Sequence, residues 1–241
     1  MFRIVIPARY ESTRFPGKPL ALIDGRPMIV CVYERARATR AHEVIVATDD
    51  ERIAAAARLA GADVCMTASS HASGTDRIAE VARERGFGTD DIVVNLQGDE
   101  PRMPAALVEQ AAAALAAHPA ASIATVAAPV RSREEYLDPN VVKVVTDREG
   151  RALYFSRAPI PHDRDGDGHE ARRHIGLYAW RTRALLRFAA LAPTRLELLE
   201  KLEQLRALEH GMEVRVVEAA ELPGADINTP EDLARLHGPG A

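Results

Sequence analysis

Apolar and polar positions alternate along the chain in blocks that predict strands followed by helices. Short β-branched runs predict four strands, at 3–7, 43–48, 62–66 and 91–97. Alanine-rich segments of helical period separate them, at about 27–40, 50–60 and 75–86. The first and last runs, RIVIP and DIVVNLQ, are almost continuously apolar, which is typical of strands buried on both faces. This β-α-β-α order predicts a largely parallel sheet with helices on both faces.

The second half of the chain is less regular. A helix at 104–117 and a strand at 121–128 precede a predicted hairpin, VVKVVTD and ALYFS, and then a polar loop at 161–173. The segment 174–180 predicts another strand. Leucines at every third position, from Leu196 to Leu208, predict one long helix. A strand at 213–219 and a helix that begins at Pro230, capped by Asn228 or Thr229, complete the predicted elements.

Composition narrows the class of protein. The 241 residues, 47% of them hydrophobic, are enough for one large α/β domain. A net charge of -4 argues against a nucleic-acid-binding protein, which is usually basic. No apolar run reaches the roughly 18–20 residues that cross a bilayer, and no signal-peptide pattern opens the chain. Cys31 and Cys65 lie in apolar stretches and are interpreted as core residues of a protein from the reducing cytoplasm.

Three cations follow the first strand: Arg9, Arg14 and Lys18, among small residues such as Ser12 and Gly17. Ligands of open parallel sheets bind beyond the carboxyl ends of the strands, where this loop lies. The loop is not a P-loop, because Ser12 replaces the first glycine and proline follows Lys18, and the chain has no G-x-G-x-x-G motif. Arginine and lysine nevertheless suit a polyphosphate. An ordinary solvated surface loop accounts for the same residues equally well.

Two acidic segments are candidates for a metal site. Asp99 follows a buried strand, and a single carboxylate there can hold Mg²⁺ together with phosphate oxygens. Asp226 and Asn228 alternate along an extended segment and so face the same way. Favourable charge at helix N-termini, and simple capping, explain these residues as well. The segment HASGTDR at 71–77 is either a contact for a base or ribose or only the start of a helix.

Nine segments occur together in the order and spacing of one enzyme family. They are IPARYESTRFPGKPL, VATDDERI, HASGTDRIAEV, VNLQGDEP, NVVKVVTD, ALYFSRAPIP, RHIGLYAW, LELLEKLEQLR and INTPEDL. The chain resembles the 3-deoxy-D-manno-octulosonate (Kdo) cytidylyltransferases over almost its whole length. The resemblance implies a Rossmann-like nucleotide-diphospho-sugar transferase fold: an α/β, three-layer domain with a mostly parallel central sheet. It further implies a nucleotide-binding core at 1–128 and 181–241, with an inserted sugar-binding and dimerisation hairpin region at about 129–180.

The resemblance also implies a reaction and a set of site residues. CTP and Kdo would give CMP-Kdo and pyrophosphate for lipopolysaccharide biosynthesis, in the cytoplasm and with Mg²⁺ as cofactor. Triphosphate contacts are implied for Arg9, Ser12, Arg14 and Lys18, and contacts to cytosine and ribose for Ser73, Gly74, Thr75 and Gln97. Catalysis would depend on Arg9, Arg14, Lys18 and Asp99. The implied metal ligands are Asp99, Asp226 and Asn228, and the implied sugar contacts are Arg157, His174, Tyr178, Glu200, Glu203 and Gln204.

One position departs from the family, which usually carries Asp where Asn228 stands. Asp226, two residues earlier, is then the second acidic candidate ligand. Alternatives to Kdo are 8-amino-Kdo, sialic acid or a sugar 1-phosphate, and a nucleotide-binding protein without catalysis is the alternative from another class. A homodimer is expected from the family, with no partner among nucleic acids or membranes.

Overall fold

The computed structural model describes residues 1–11, 15–164, 166, 170–224, 227 and 229–236. The strands are β1 (Phe2–Ala8), β2 (Leu22–Ile23), β3 (Arg26–Pro27), β4 (Glu43–Thr48), β5 (Asp63–Met66), β6 (Ile92–Asn95), β7 (Ile123–Pro129), β8 (Lys143–Thr146), β9 (Ala152–Ser156), β10 (Arg172–Arg181) and β11 (Val214–Glu218). The helices are α1 (Met28–Arg37), α2 (Glu51–Leu59), α3 (Gly74–Glu84), α4 (Ala105–Ala117), α5 (Arg133–Leu137), α6 (Thr182–Ala189), α7 (Arg195–Glu200), α8 (Gln204–Glu209) and α9 (Pro230–Leu236).

The central sheet has the order β11-β7-β10-β6-β1-β4-β5. All neighbouring pairs are parallel except those of β10, which runs antiparallel to both β6 and β7. The strands that carry the predicted apolar runs form its middle, where Ile4, Val5 and Ile6 are fully buried. The predicted α/β fold with a mostly parallel sheet is therefore confirmed.

Two apolar layers cover the sheet. On one face the core contains buried residues of α1, α2 and α4, such as Ile29, Ile53 and Leu107. On the other it contains residues of α3, α6 and α8, such as Ile78, Phe188 and Leu205. The three-layer arrangement leaves the loops at the carboxyl ends of β1, β4, β5 and β6 on one edge of the sheet.

The predicted hairpin is present as β8 and β9, which pair antiparallel and join the sheet through β10. The strand predicted at 174–180 was grouped with the inserted part. In the structure it belongs to β10, in the middle of the central sheet, because Tyr178, Ala179 and Trp180 pair with β6 on one side and β7 on the other.

The prediction of one long leucine-striped helix was wrong. Lys201 has a left-handed backbone, with φ of 55°, and separates α7 from α8. Three residues advance an α-helix by about 300°, so a stripe of period three rotates backward by about 60° at each step and cannot stay on one face. Accordingly Leu202 and Leu205 are buried, whereas Leu199 is 68% exposed.

Candidate active site

The largest concentration of predicted site residues lies in a cavity of about 210 Å³ at the carboxyl ends of β1 and β6 and the start of α3. Its walls are Pro7, Ala8, Arg9, Lys18, Pro19, His71, Ser73, Gly74, Arg77, Gln97, Gly98 and Asp99. Six of the residues that the sequence analysis singled out therefore come together here. Their segments are far apart in the chain, so the sheet topology is what unites them.

The loop after β1 is closed at its base. Gly17 donates its backbone N–H to the Tyr10 carbonyl at 2.9 Å and has a φ of 70°, a conformation that favours glycine. Arg9 is exposed at the cavity wall, where its guanidinium can reach an anion. Ser12 and Arg14, the other predicted triphosphate contacts of this loop, lie outside the described residues.

Lys18 is a well-anchored cation of the cavity. Its ammonium donates to Asp99 Oδ2 at 2.5 Å and to the Ile227 carbonyl at 2.8 Å. Only 13% of the Lys18 side chain is exposed, compared with 32% for Asp99. One ammonium therefore links the loop after β1, the loop after β6 and the segment that contains Ile227. Asp226 and Asn228, the other predicted metal ligands, lie outside the described residues.

The N-terminus of α3 forms a second wall. Ser73 caps the helix in a reciprocal box with Asp76, which explains the start of the helix by local chemistry. Gly74 packs against Pro7 and Gln97: a Cβ atom there would lie 3.2 Å from Pro7 Cγ and 3.8 Å from Gln97 Oε1. The small residue leaves the amide of Gln97 facing the helix start, so Ser73, Gly74 and Gln97 share one surface. Thr75, the fourth predicted base or ribose contact, is only 3% exposed and is not a wall of the cavity.

Two ionisable side chains of the cavity wall, Arg77 and His71, were not among the predicted site residues. Arg77, only 3% exposed, makes an ion pair with Asp49 at 3.1 Å and a hydrogen bond to the Thr67 hydroxyl. Its guanidinium thereby ties α3 to the loops after β4 and β5. Arg77 stands four residues after Ser73, and this spacing places both residues on one face of the helix. The spacing is visible in the sequence and could have pointed to Arg77.

His71, the other ionisable wall residue that was not predicted, contacts the carboxylate of Glu80, which also accepts the backbone N–H of Ala68. Burial opposes ionisation of Glu80, but the His71 and Ala68 hydrogen bonds outweigh it and lower the pKa of this carboxyl group. The contact fixes the His71 ring at the cavity wall.

A buried carboxylate connects this cavity to the predicted sugar contacts. The Thr75 hydroxyl donates to Glu203 Oε2 at 2.8 Å. Burial raises the pKa of Glu203, and the nearby hydroxyl and Arg206 only partly offset it. Tyr178 lies close by, and its pKa is raised by burial and by the charges of Glu203 and Glu100. Glu203 and Tyr178 thus form a partly buried surface with hydrogen-bonding groups next to the N-terminus of α3.

His174 and Tyr178 project from β10 on either side of an irregularity in its pairing with β7. Their rings lie 5.3 Å apart. The Thr125 hydroxyl donates to the Leu177 carbonyl at 2.7 Å, so it accepts the proton of His174 Nε2 at 2.9 Å. Burial lowers the pKa of His174 to about 3, and the imidazole is therefore neutral at physiological pH.

The remaining predicted sugar contacts surround the break between α7 and α8. The Glu200 carboxylate accepts the Ser156 hydroxyl at 2.6 Å and the Arg157 backbone N–H at 3.0 Å. The Arg157 side chain donates to the Glu200 carbonyl at 2.7 Å and to the Pro139 carbonyl at 2.9 Å. Gln204 is buried at the first position of α8. None of the predicted sugar contacts is a wall of the cavity itself. Glu203 lies nearest to it in bonding terms, because it accepts from Thr75, which directly follows the wall residue Gly74.

Among the described residues, no group of three or more His, Cys, Asp or Glu side chains is arranged to hold a metal ion. No helix in the described part of the chain combines the length and apolar character that spanning a membrane requires. Cys31 and Cys65 are buried and free, in agreement with their interpretation as core residues.

Nearly the whole chain matches a known family. A cytidylyltransferase family model matches residues 3–214. A 3-deoxy-manno-octulosonate cytidylyltransferase from Thioalkalivibrio sulfidiphilus (strain HL-EbGR7) is 52% identical over 242 residues, covering 98% of this chain and 97% of the relative. The chain belongs to the 3-deoxy-manno-octulosonate cytidylyltransferase family.

Solved structures agree with this assignment. A CMP:2-keto-3-deoxy-manno-octonic acid synthetase, solved in complex with CTP, superposes with a TM-score of 0.92 at 41% identity, covering 98% of this chain and 97% of that one. A cytidylyltransferase from Leptospira borgpetersenii serovar Hardjo-bovis (strain JB197) has a TM-score of 0.58 at 15% identity, over 90% of this chain and 76% of that one. The latter likeness concerns the fold alone.

Proposed function

We propose that this cytidylyltransferase activates Kdo with CTP, releasing CMP-Kdo and pyrophosphate for lipopolysaccharide biosynthesis. The observation that carries the proposal is the cavity itself. It combines Lys18 and Arg9, cations for a triphosphate, with the Gly74 and Gln97 surface and the Asp99 carboxylate. The relative that is 52% identical over nearly the full length of both chains is named for this activity.

In the proposed reaction the anomeric hydroxyl of the sugar attacks the α-phosphorus of CTP. A bond forms between the anomeric oxygen and phosphorus, the bond to the oxygen that bridges to the β-phosphate breaks, and the hydroxyl proton is released to water. Positioning and charge neutralisation account for most catalysis of phosphoryl and nucleotidyl transfer. Arg9 and Lys18 would bind the phosphates and stabilise charge on the departing pyrophosphate, together with Arg14.

Mg²⁺ is the proposed cofactor. Asp99 presents a partly exposed carboxylate in the cavity, and hard oxygen donors of this kind suit the ion. Asp226 and Asn228, on either side of Ile227 in the sequence, are the other proposed ligands. When bound, the ion would withdraw charge from the phosphate oxygens. The Lys18 ammonium is a neighbouring positive charge that would hold Asp99 in place.

The sugar acid is assigned to the surface beyond Thr75. Glu203, Gln204 and Tyr178 would bind sugar hydroxyls, Glu200 would hold Arg157, and Arg157 would pair with the sugar carboxylate, because an anionic ligand requires a nearby cation. His174, being neutral, would act as a hydrogen-bonding group and not as a charge.

We propose that the part at about 129–180 also mediates a homodimer in the cytoplasm. Support comes from Leu153, 61% exposed on β9, which pairs only with β8 among the described strands. An exposed apolar residue on an edge strand favours association with another chain. Light scattering coupled to size exclusion tests this, and a monomer at micromolar concentration would contradict it.

A pyrophosphate-release assay with CTP, Mg²⁺ and a panel of sugar acids tests the function. Release with Kdo is the expected result. Release with sialic acid but not with Kdo would refute the substrate. CTP binding without release for any sugar would refute catalysis.

A further inference from the structure

Lys143, on β8, has a fully buried side chain. Its ammonium donates to three backbone carbonyls: Asp138 at 2.8 Å, Val141 at 2.5 Å and Arg157 at 2.8 Å. No carboxylate of the described residues lies within ion-pair distance of it. All three donors are thus used on the main chain, and none is left for a ligand.

A buried ammonium is costly, and burial lowers the pKa of Lys143. The three carbonyls offset this cost through charge-assisted hydrogen bonds. They belong to two separate segments: the turn between α5 and β8, and the residue that follows β9. Lys143 therefore joins two pieces of chain that have no regular pairing with each other at this point.

Lys143 contacts Arg157 directly and also the turn that holds the Arg157 side chain. The Arg157 carbonyl accepts from Lys143, and the Arg157 Nη1 donates to Pro139, which lies inside the turn that Lys143 fixes. The same ammonium therefore contacts the backbone of Arg157 and the turn that provides one acceptor of its guanidinium, while Glu200 accepts the Arg157 backbone N–H and Nε. Displacement of that backbone or of the turn would move the guanidinium away from its present direction.

We propose that Lys143 is a positioning residue for Arg157, and that it sets the affinity for the carboxylate of the sugar acid without touching it. The inference rests on the proposed function, in which Arg157 pairs with that carboxylate. The effect should appear in the KM for the sugar acid and not in the binding of CTP.

Arg181 provides a matched control. It is 8% exposed and donates to three backbone carbonyls, Ala121 at 3.0 Å, Leu115 at 2.9 Å and His118 at 3.2 Å. It is thus also a buried cation that binds main chain. Arg181 pairs with Ile92, at the start of β6, so it lies at the edge of the sheet opposite the cavity.

The test is a double-mutant cycle with K143M, R157A and the double variant, alongside R181M. We expect K143M to raise the KM for Kdo at least tenfold, with the calorimetric Kd for CTP changed less than twofold. R181M should lose stability in urea but change the KM less than twofold. In the R157A background, K143M should add less than a twofold effect, since it acts through Arg157.

Equal KM changes in K143M and R181M, or independent effects of K143M and R157A, would overturn the inference. K143Q, which keeps two N–H donors, serves if K143M does not fold, with at least a threefold rise expected. If neither folds while R181M does, the ammonium serves the fold as a whole and the positioning role is refuted. A wild-type protein that releases no pyrophosphate with CTP and Kdo would instead refute the proposed function.

Discussion

Gly98 lies in the wall of the cavity, close against the backbone of β1. A Cβ atom at this position would lie 2.9 Å from the carbonyl oxygen of Pro7 and 3.5 Å from Ala8 Cβ. Carbon–oxygen contacts normally begin at about 3.3 Å, so G98A requires a shift of roughly 0.4 Å. Pro7 pairs with Ala47 inside the sheet and cannot retreat easily. The loop that carries Gln97 and Asp99 must therefore move.

The expected cost is larger in activity than in stability. Overpacking of this kind costs about 1–3 kcal/mol, and the short loop absorbs much of it by moving. A displacement near 0.5 Å is at the limit that a catalytic arrangement tolerates, and 1 Å can cost about 10²-fold. We therefore expect kcat/KM for pyrophosphate release to fall about tenfold.

The control is G88A, on a surface turn. A Cβ atom there meets the Asp91 carboxylate at 3.4 Å, an ordinary contact, and nothing of the cavity. Its kcat/KM should match that of the wild type within about twofold. Wild-type kcat/KM in G98A, with a normal urea midpoint, would show that the loop after β6 does not position the reacting groups.

Three further predictions concern charge and backbone. D99N should lower kcat by about 10²-fold or more, because the proposed metal ligand, which is also the partner of Lys18, loses its charge, while the urea midpoint changes little. The neutral state of His174 should make the stability of the protein depend on pH. The unfolded chain takes up a proton at His174 below about pH 6.5, whereas the folded chain does so only near pH 3. The free energy of unfolding should therefore fall by about 1.4 kcal/mol per unit as the pH is lowered between these values. Urea titrations of the wild type and H174N at several pH values measure the difference. K201V should destabilise by about 1–2 kcal/mol relative to K201G in urea, because valine is strained in the left-handed region.

Each of these has a distinct contrary outcome. Full turnover by D99N in Mg²⁺ would remove Asp99 from the reaction. Parallel pH profiles for the wild type and H174N would mean that His174 is charged in the folded state. Equal stability of K201V and K201G would mean that the junction of α7 and α8 adopts another backbone in solution.

The strands of the parallel half were predictable because a strand that is buried on both faces requires a nearly continuous apolar run, such as RIVIP. Such runs can be read directly from the sequence. The place of β10 was not predictable in this way. Its segment HIGLYAW predicts a strand, but periodicity does not encode which strands flank it or its antiparallel direction. The helix error has a different cause: the three-residue leucine period already departs from helical period, but the position of the break, at the left-handed Lys201, is not visible in its side chain.

For the candidate site, the clusters after β1, between β5 and α3, and after β6 were predictable because parallel strands end on one edge of the sheet. Arg77 was missed because the sequence does not show whether an arginine is buried or exposed. The structural role of Arg77 depends on its contacts with Asp49 and Thr67, which the fold brings to it. The contact of Thr75 with Glu203 spans 128 residues and likewise required the fold.

The central position of β10 has a consequence for how the molecule assembles. β6 and β7 follow each other in the chain, separated only by α4, yet they do not pair, because β10 occupies the space between them. During synthesis, one edge of β6 stays unpaired until β10, about eighty residues later in the chain, has been made. Until then, the backbone donors and acceptors of this edge can pair with other strands. A strand from late in the chain thus completes the middle of the sheet. We expect the insertion of β10 between β6 and β7 to be the slow step of folding.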